Sequence, residues 1–210
     1  MFWRRRGRDE GERSPDEGGR WIVLDLETTG LDPKADRIVE IGGVAMRDGI
    51  IELSDSLHRV TADSGRVTAE NRVLHGISAA EQYQGSVLPD ALDALLLWRA
   101  EAPLVGFHTR FDVTFIATAL RRLGNRDAAE RFERRFVDLA VIAPVVIGET
   151  RARGLREWSQ ALNLPIRKQH RATADALATA HLLQRVLARL PPTARTFAAL
   201  VELERSRRWV

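Results

Sequence analysis

WIVLDLETTG, residues 21–30, reads as a strand for the middle of a sheet, with two charges inside it. Side chains alternate along a strand, so Trp21, Val23, Asp25 and Glu27 share one face and Ile22, Leu24 and Leu26 the other. Apolar residues on both faces suit a strand covered on both sides. Asp25 and Glu27 then stand about 7 Å apart, pointing the same way. Such a pair at a strand end is commonly solvated. If it is buried, the charge has to be compensated. The TTG that follows supplies a tight turn, with hydroxyls and free backbone N–H groups beside the carboxylates.

Outward from this strand the chain alternates between patterns. RIVEIGGVAM (37–46) and IIELSDSLHRV (50–60) flank Asp48-Gly49, a hairpin signal. With residues 21–26 they make three consecutive antiparallel strands. Ser78 and Glu81 have capping-box spacing, a helix start. LPDALDALLLWRAE (88–101) reads as helix and PLVGF (103–107) as a short buried strand. The stripe Phe111, Phe115, Ile116, Ala119, Leu120, Leu123 predicts another helix. FVDLAVIA (136–143) is expected to be the fifth strand, with helices at 155–164 and 173–190. A last helix, after Pro191-Pro192, carries Phe197, Leu200, Val201 and Trp209. A meander followed by alternating helices and strands gives an α/β fold with a mixed sheet flanked by helices. Residues 1–20 are arginine, acid, glycine and serine, and read as a disordered tail. The organisation expected is a tail at 1–20, a domain at 21–190, and a C-terminal helix at 191–210 for packing or docking.

The 210 residues suffice for one core. There are no cysteines, which excludes disulfides, thiolate zinc and cysteine nucleophiles. The apolar run LAVIAPVVIG is too short to span a bilayer, and no apolar run follows the N-terminal arginines. A cytoplasmic location without membrane attachment is expected. The pI of about 10.1 overstates the basicity, since formal net charge is only +3. Lys34 and Lys168 are the only lysines and Tyr83 the only tyrosine, so little titrates between neutrality and pH 10. The balance permits a nucleic-acid partner without demanding one.

Two further acids stand out. Asp112 lies beside the apolar stripe of its helix, in the first turn, where an acid can serve the helix dipole or point toward the core. His108 precedes it by four residues, in the strand-to-helix turn. In HRATAD (170–175), His170 and Asp175 would face different ways on one continuous helix. They converge only if His170 lies in the loop and the helix begins near Thr173, a plausible cap. Asp175 then projects from the first turn. His58 and His181 match no motif and read as structural.

The order Asp-x-Glu-Thr-Thr-Gly (25–30), Gly-x-His-x-x-Phe-Asp (106–112), His-x4-Asp (170–175) resembles the DEDDh, or DnaQ-like, 3′–5′ exonucleases. That family includes the proofreading epsilon subunit of bacterial replicative polymerase. RVLHGIS (72–78) resembles a recurrent loop of the family. The resemblance runs from about Trp21 to Leu190. It implies a ribonuclease-H-like five-stranded sheet. It also implies that Asp25, Glu27, Asp112 and Asp175 hold two divalent cations, Mg²⁺ or Mn²⁺, which would compensate the buried charge. His170 would accept the proton of the attacking water, and Glu27 would help to orient that water. Thr28, Thr29, Gly30 and Leu31 would receive the terminal nucleotide, with His75 and His108 as further cleft candidates. The implied substrate is the 3′ end of single-stranded nucleic acid, DNA before RNA, with a DNA polymerase as a possible partner. Two other readings remain open: an exoribonuclease on the same scaffold, and a polymerase-associated binding subunit with secondary catalysis.

Overall fold

Residues 21–28 lie at the centre of the sheet. β1 (Arg20–Thr28) pairs antiparallel with β2 (Ile38–Arg47) on one side and parallel with β4 (Leu104–Gly106) on the other. β3 (Ile50–Val60) and β5 (Phe136–Asp138) complete the order β3-β2-β1-β4-β5. The computed structural model describes residues 19–62, 76–148, 151–165 and 171–207. The mixed five-stranded sheet flanked by helices is therefore as expected.

The alternation in β1 builds two cores. Ile22, Leu24 and Leu26 join a cluster with α2 (Leu88–Arg99), α3 (Thr109–Arg122) and α4 (Arg126–Phe132). Trp21 and Val23 join the opposite cluster. There they meet α5 (Leu139–Ile147), α6 (Leu155–Ala161), α7 (Ala172–Arg189) and α8 (Phe197–Arg207). The strand is covered on both faces, so its two acids sit where solvation is restricted. Between β2 and β3, Asp48 and Gly49 both take positive φ, as a two-residue hairpin turn of type I′ requires. α1 (Ala79–Tyr83) opens with the capping box of Ser78 and Glu81.

The structure differs from the sequence reading at four places. β1 starts at Arg20, one residue inside the stretch read as tail, because the Arg20 guanidinium is held by Asp55 at 2.6 and 2.8 Å. The fifth strand stops at Asp138, whose carboxylate caps the N–H of Ala140 at 2.9 Å, and the apolar run continues as α5. A short helix, α4, fills the stretch before it. α7 begins at Ala172 with Arg171 at the N-cap, and no side chain of its own caps it. The C-terminal helix packs against the sheet: Phe197 meets Trp21 edge-on at 6.2 Å, and Glu204 accepts from the N–H of Asp138.

Candidate metal centre

The site forms where β1 runs out. β4 ends at Gly106 and pairs with β1 no further than Val23, so the N–H of Leu26 has no strand partner on that side. Asp112, in the first turn of α3, accepts that N–H through Oδ1 at 3.0 Å. An acid only 4% exposed is thus fixed between Asp25 and Glu27 in the chain. On the other face α7 brings in Asp175, again from its first turn. Asp25, Glu27 and Asp175 each offer a carboxylate oxygen, and the three oxygens lie within 4.8 Å of one another. The structure therefore joins three of the four expected acids in one cluster and ties the fourth, Asp112, to the backbone between two of them.

The electrostatics are one-sided. Burial, then the charges of Asp112, Asp175, Glu27 and Glu40, hold the Asp25 carboxyl well above the ordinary aspartate range. Burial also raises Asp112, against the pull of its own N–H and that of Leu26, while Asp138 and Glu27 push it further up. Acids gathered this closely favour added positive charge. Their hard oxygens, with no sulfur donor, suit Mg²⁺ or Mn²⁺. The donor set fits the implied cations.

The loop after β1 is tightly bonded. The ladder slips between Glu27 and Thr28, the kind of irregularity that re-aims side chains next to sites. Thr28 Oγ1 donates to the carbonyl of Gly30 at 2.6 Å, and Thr29 Oγ1 to Asp36 at 3.1 Å. Thr29 Oγ1 also accepts the N–H of Arg37 at 3.0 Å, and the Thr29 N–H donates to the Arg37 carbonyl at 2.9 Å, so both threonines hold the loop in shape. A Cβ at Gly30 would stand 2.4 Å from the Asp36 carboxylate, so a larger residue would push Asp36 off its bonds to Thr29 and Asp32. Leu31 projects into solvent, 83% exposed. His108 is exposed and caps α3 in the left-handed region at φ 62°, with its N–H on Asp138 at 2.8 Å. A non-glycine residue held there is strained, and such strain clusters at functional sites. His75 and His170 lie outside the described residues. His58 and His181 bond to Glu40 and Gln184 respectively.

Sequence reasoning missed Asp36, Asp138 and Glu40. Glu40 had a signal: it stands within the apolar RIVEIGGVAM, the same anomaly that marked Asp25. Its Oε2 accepts the N–H of Ala172 at 2.9 Å, which is why Thr173 is not needed as the cap of α7.

A family model described as Exonuclease (RNase_T) matches residues 22–183. The DNA polymerase III PolC-type of Thermotoga petrophila is 28% identical over 169 residues, 80% of this chain and 12% of its own. That of Listeria monocytogenes is 30% identical over 175 residues, 81% of this chain and 11% of its own. The chain thus spans 11–12% of the length of these curated relatives. Among solved structures, the nuclease domain of 3′hExo, a DEDDh family member bound to rAMP, superposes with a TM-score of 0.70. It is 14% identical, over 80% of this chain and 92% of that one. E. coli exonuclease I with a dT13 oligonucleotide gives 0.66 at 18% identity, over 81% of this chain and 41% of that one. At these identities the structural likeness concerns the fold. Among the described residues, no helix is long and apolar enough to cross a membrane.

Proposed function

The chain belongs to the exonuclease family whose model covers residues 22–183, and from that premise we propose that it removes nucleotides one at a time from the 3′ end of single-stranded DNA, releasing nucleoside 5′-monophosphates. The observation that carries this reading is the cluster of Asp25, Glu27 and Asp175 within 4.8 Å, with Asp112 bonded between the first two. These four acids would hold two divalent cations. When bound, the cations supply positive charge that polarises the scissile phosphate and its attacking water.

The chain's own groups do the rest. Glu27 orients the attacking water. His170 takes its proton at an imidazole nitrogen, a role suited to that side chain near neutral pH. Thr28, Thr29 and Gly30 form the bonded loop that would receive the terminal nucleotide, and the exposed Leu31 offers an apolar face to its base. His108, exposed at the start of α3, is a further candidate for contact with the nucleotide, and His75 is one on the resemblance alone. DNA is favoured because the curated relatives are DNA polymerases and exonuclease I was crystallised with dT13; these are properties of those proteins. The same relatives motivate a proofreading or repair role beside a polymerase. An exoribonuclease is the second reading, favoured by the rAMP bound to 3′hExo.

Digestion of matched 5′-labelled single-stranded DNA and RNA, with Mg²⁺ and with Mn²⁺, tests the proposal. The expected result is a DNA ladder shortening from the 3′ end, with closed circular strands resistant. Faster shortening of the RNA would replace the DNA reading, and cutting of circles would overturn the exonuclease.

A further inference from the structure

The three acids of the cluster repel one another, and the apolar cluster that holds α7 against β1 takes in residues of α7 from Ala180 onward, so its first turn depends on other contacts. The structure assigns these contacts to Glu40 and Arg171: we propose that they are positioning residues, fixing the first turn of α7 and through it the carboxylate of Asp175. The inference rests on the reading of Asp175 as a metal ligand.

Glu40 is 0% exposed and pairs directly with Glu27 in the β1–β2 register, on the same sheet face. Burial alone would raise its pKa. Hydrogen bonds from His58, Ala172 and Arg171 more than reverse this, so the side chain stays ionised. Arg171 reaches Glu40 Oε1 through both Nε and Nη2 at 3.0 Å, and His58 Nε2 lies 2.6 Å from the same oxygen. Oε2 accepts the Ala172 N–H, one of the donors that a helix start leaves unpaired. The negative charge at this end also suits the helix dipole. Arg171 Nη1 continues to Glu81 Oε1 at 3.1 Å, and Glu81 closes the capping box of α1 on Ser78. One guanidinium thus joins β2, α1 and the N-cap of α7.

Directly beneath, Gly42 admits α7 onto the strand. A Cβ there would lie 2.2 Å from the carbonyl carbon of Ala172 and from the N of Thr173. Gly42 is the register partner of Asp25. The first turn of α7 therefore rests on the backbone beside one metal acid, is bonded to the residue beside another, and carries the third. A buried ion pair contributes little net stability against an apolar replacement. What it provides here is a defined contact that opposes the mutual repulsion of the acids.

The test is Mn²⁺ titration by calorimetry of the full chain, with melting followed by circular dichroism. Four proteins are compared: wild type, Asp175→Asn, Glu40→Gln and Arg171→Met. Asp175→Asn is expected to lose strong Mn²⁺ binding; if it binds like wild type, the ligand reading fails whatever the other variants do. Given that loss, Glu40→Gln and Arg171→Met should stay folded and bind Mn²⁺ about 10–100-fold more weakly, the usual effect of removing a group that orients a ligand. Arg171→Met leaves Glu40 bonded to His58 and Ala172, so it decides the matter if Glu40→Gln does not fold. Wild-type Mn²⁺ affinity in a folded variant would overturn the proposal and leave the network a structural ion pair.

Discussion

Asp112 serves the backbone and the charge cluster with the same carboxylate, and substitutions separate the two roles. Asparagine retains an oxygen for the Leu26 N–H, so Asp112→Asn should fold normally and lose activity. Alanine leaves that buried N–H without its partner, at a cost of about 1–3 kcal/mol. Asp112→Ala should therefore also melt earlier, and comparing the two melts checks this. At Asp25 the sign is the opposite. Its carboxyl is held well above the ordinary range by burial and by neighbouring acids. Without metal, the folded state then keeps a proton that the unfolded state releases. That stabilisation is complete below the ordinary aspartate pKa of about 3.9 and is lost as pH rises through the raised value. Asp25→Asn should thus be inactive, yet in chelator more heat-stable than wild type at neutral pH, with the difference closing toward acid. Equal melting temperatures at every pH would contradict the repulsion. His170→Ala should lose about 10²–10⁴-fold in turnover and flatten the acidic limb of the pH–rate profile, because the neutral imidazole is the competent form. An unchanged limb would assign the proton to another group.

α7 and β2 are in close contact beside the acid cluster, and Gly42 is the point of closest approach to Ala172 and Thr173. The atoms a Cβ would meet are backbone, so the side chain has nothing flexible to displace. Gly42→Ala should cost about 1–3 kcal/mol of stability, as overpacking does. It should also weaken Mn²⁺ binding, because Asp175 moves with its helix. Titration of the variant at a temperature where it is folded would check both effects. The elements that the sequence left ambiguous were those without a period. LAVIAPVVI is apolar throughout, and such a run fits a buried strand or a buried helix equally. It became a helix because Asp138 caps it and β5 needs only three residues beside β4. α4 is seven residues long, too short to announce itself by periodicity.

For the molecule as a whole, metal and folding should be linked. A ligand bound only by the folded state stabilises it by RT ln(1 + [L]/Kd). Mn²⁺ should therefore raise the melting temperature of wild type and not of Asp175→Asn, and excess chelator should abolish nuclease turnover. Full turnover in chelator would remove the metal reading. The sequence by itself determined the central strand covered on both faces, the hairpin at Asp48-Gly49, the capping box of Ser78 and Glu81, and the acids at 25, 27, 112 and 175. Each of these is written in local spacing, where alternation, turn chemistry or a charge in an apolar run is visible within a few residues. The tertiary structure alone decided that Asp112 meets the N–H of Leu26, 86 positions away, and that Glu40 anchors Arg171 and Ala172, 131 and 132 positions on. Those contacts depend on where β4 ends and on how closely α7 lies over Gly42. Both follow from the packing of whole elements, which local spacing does not encode.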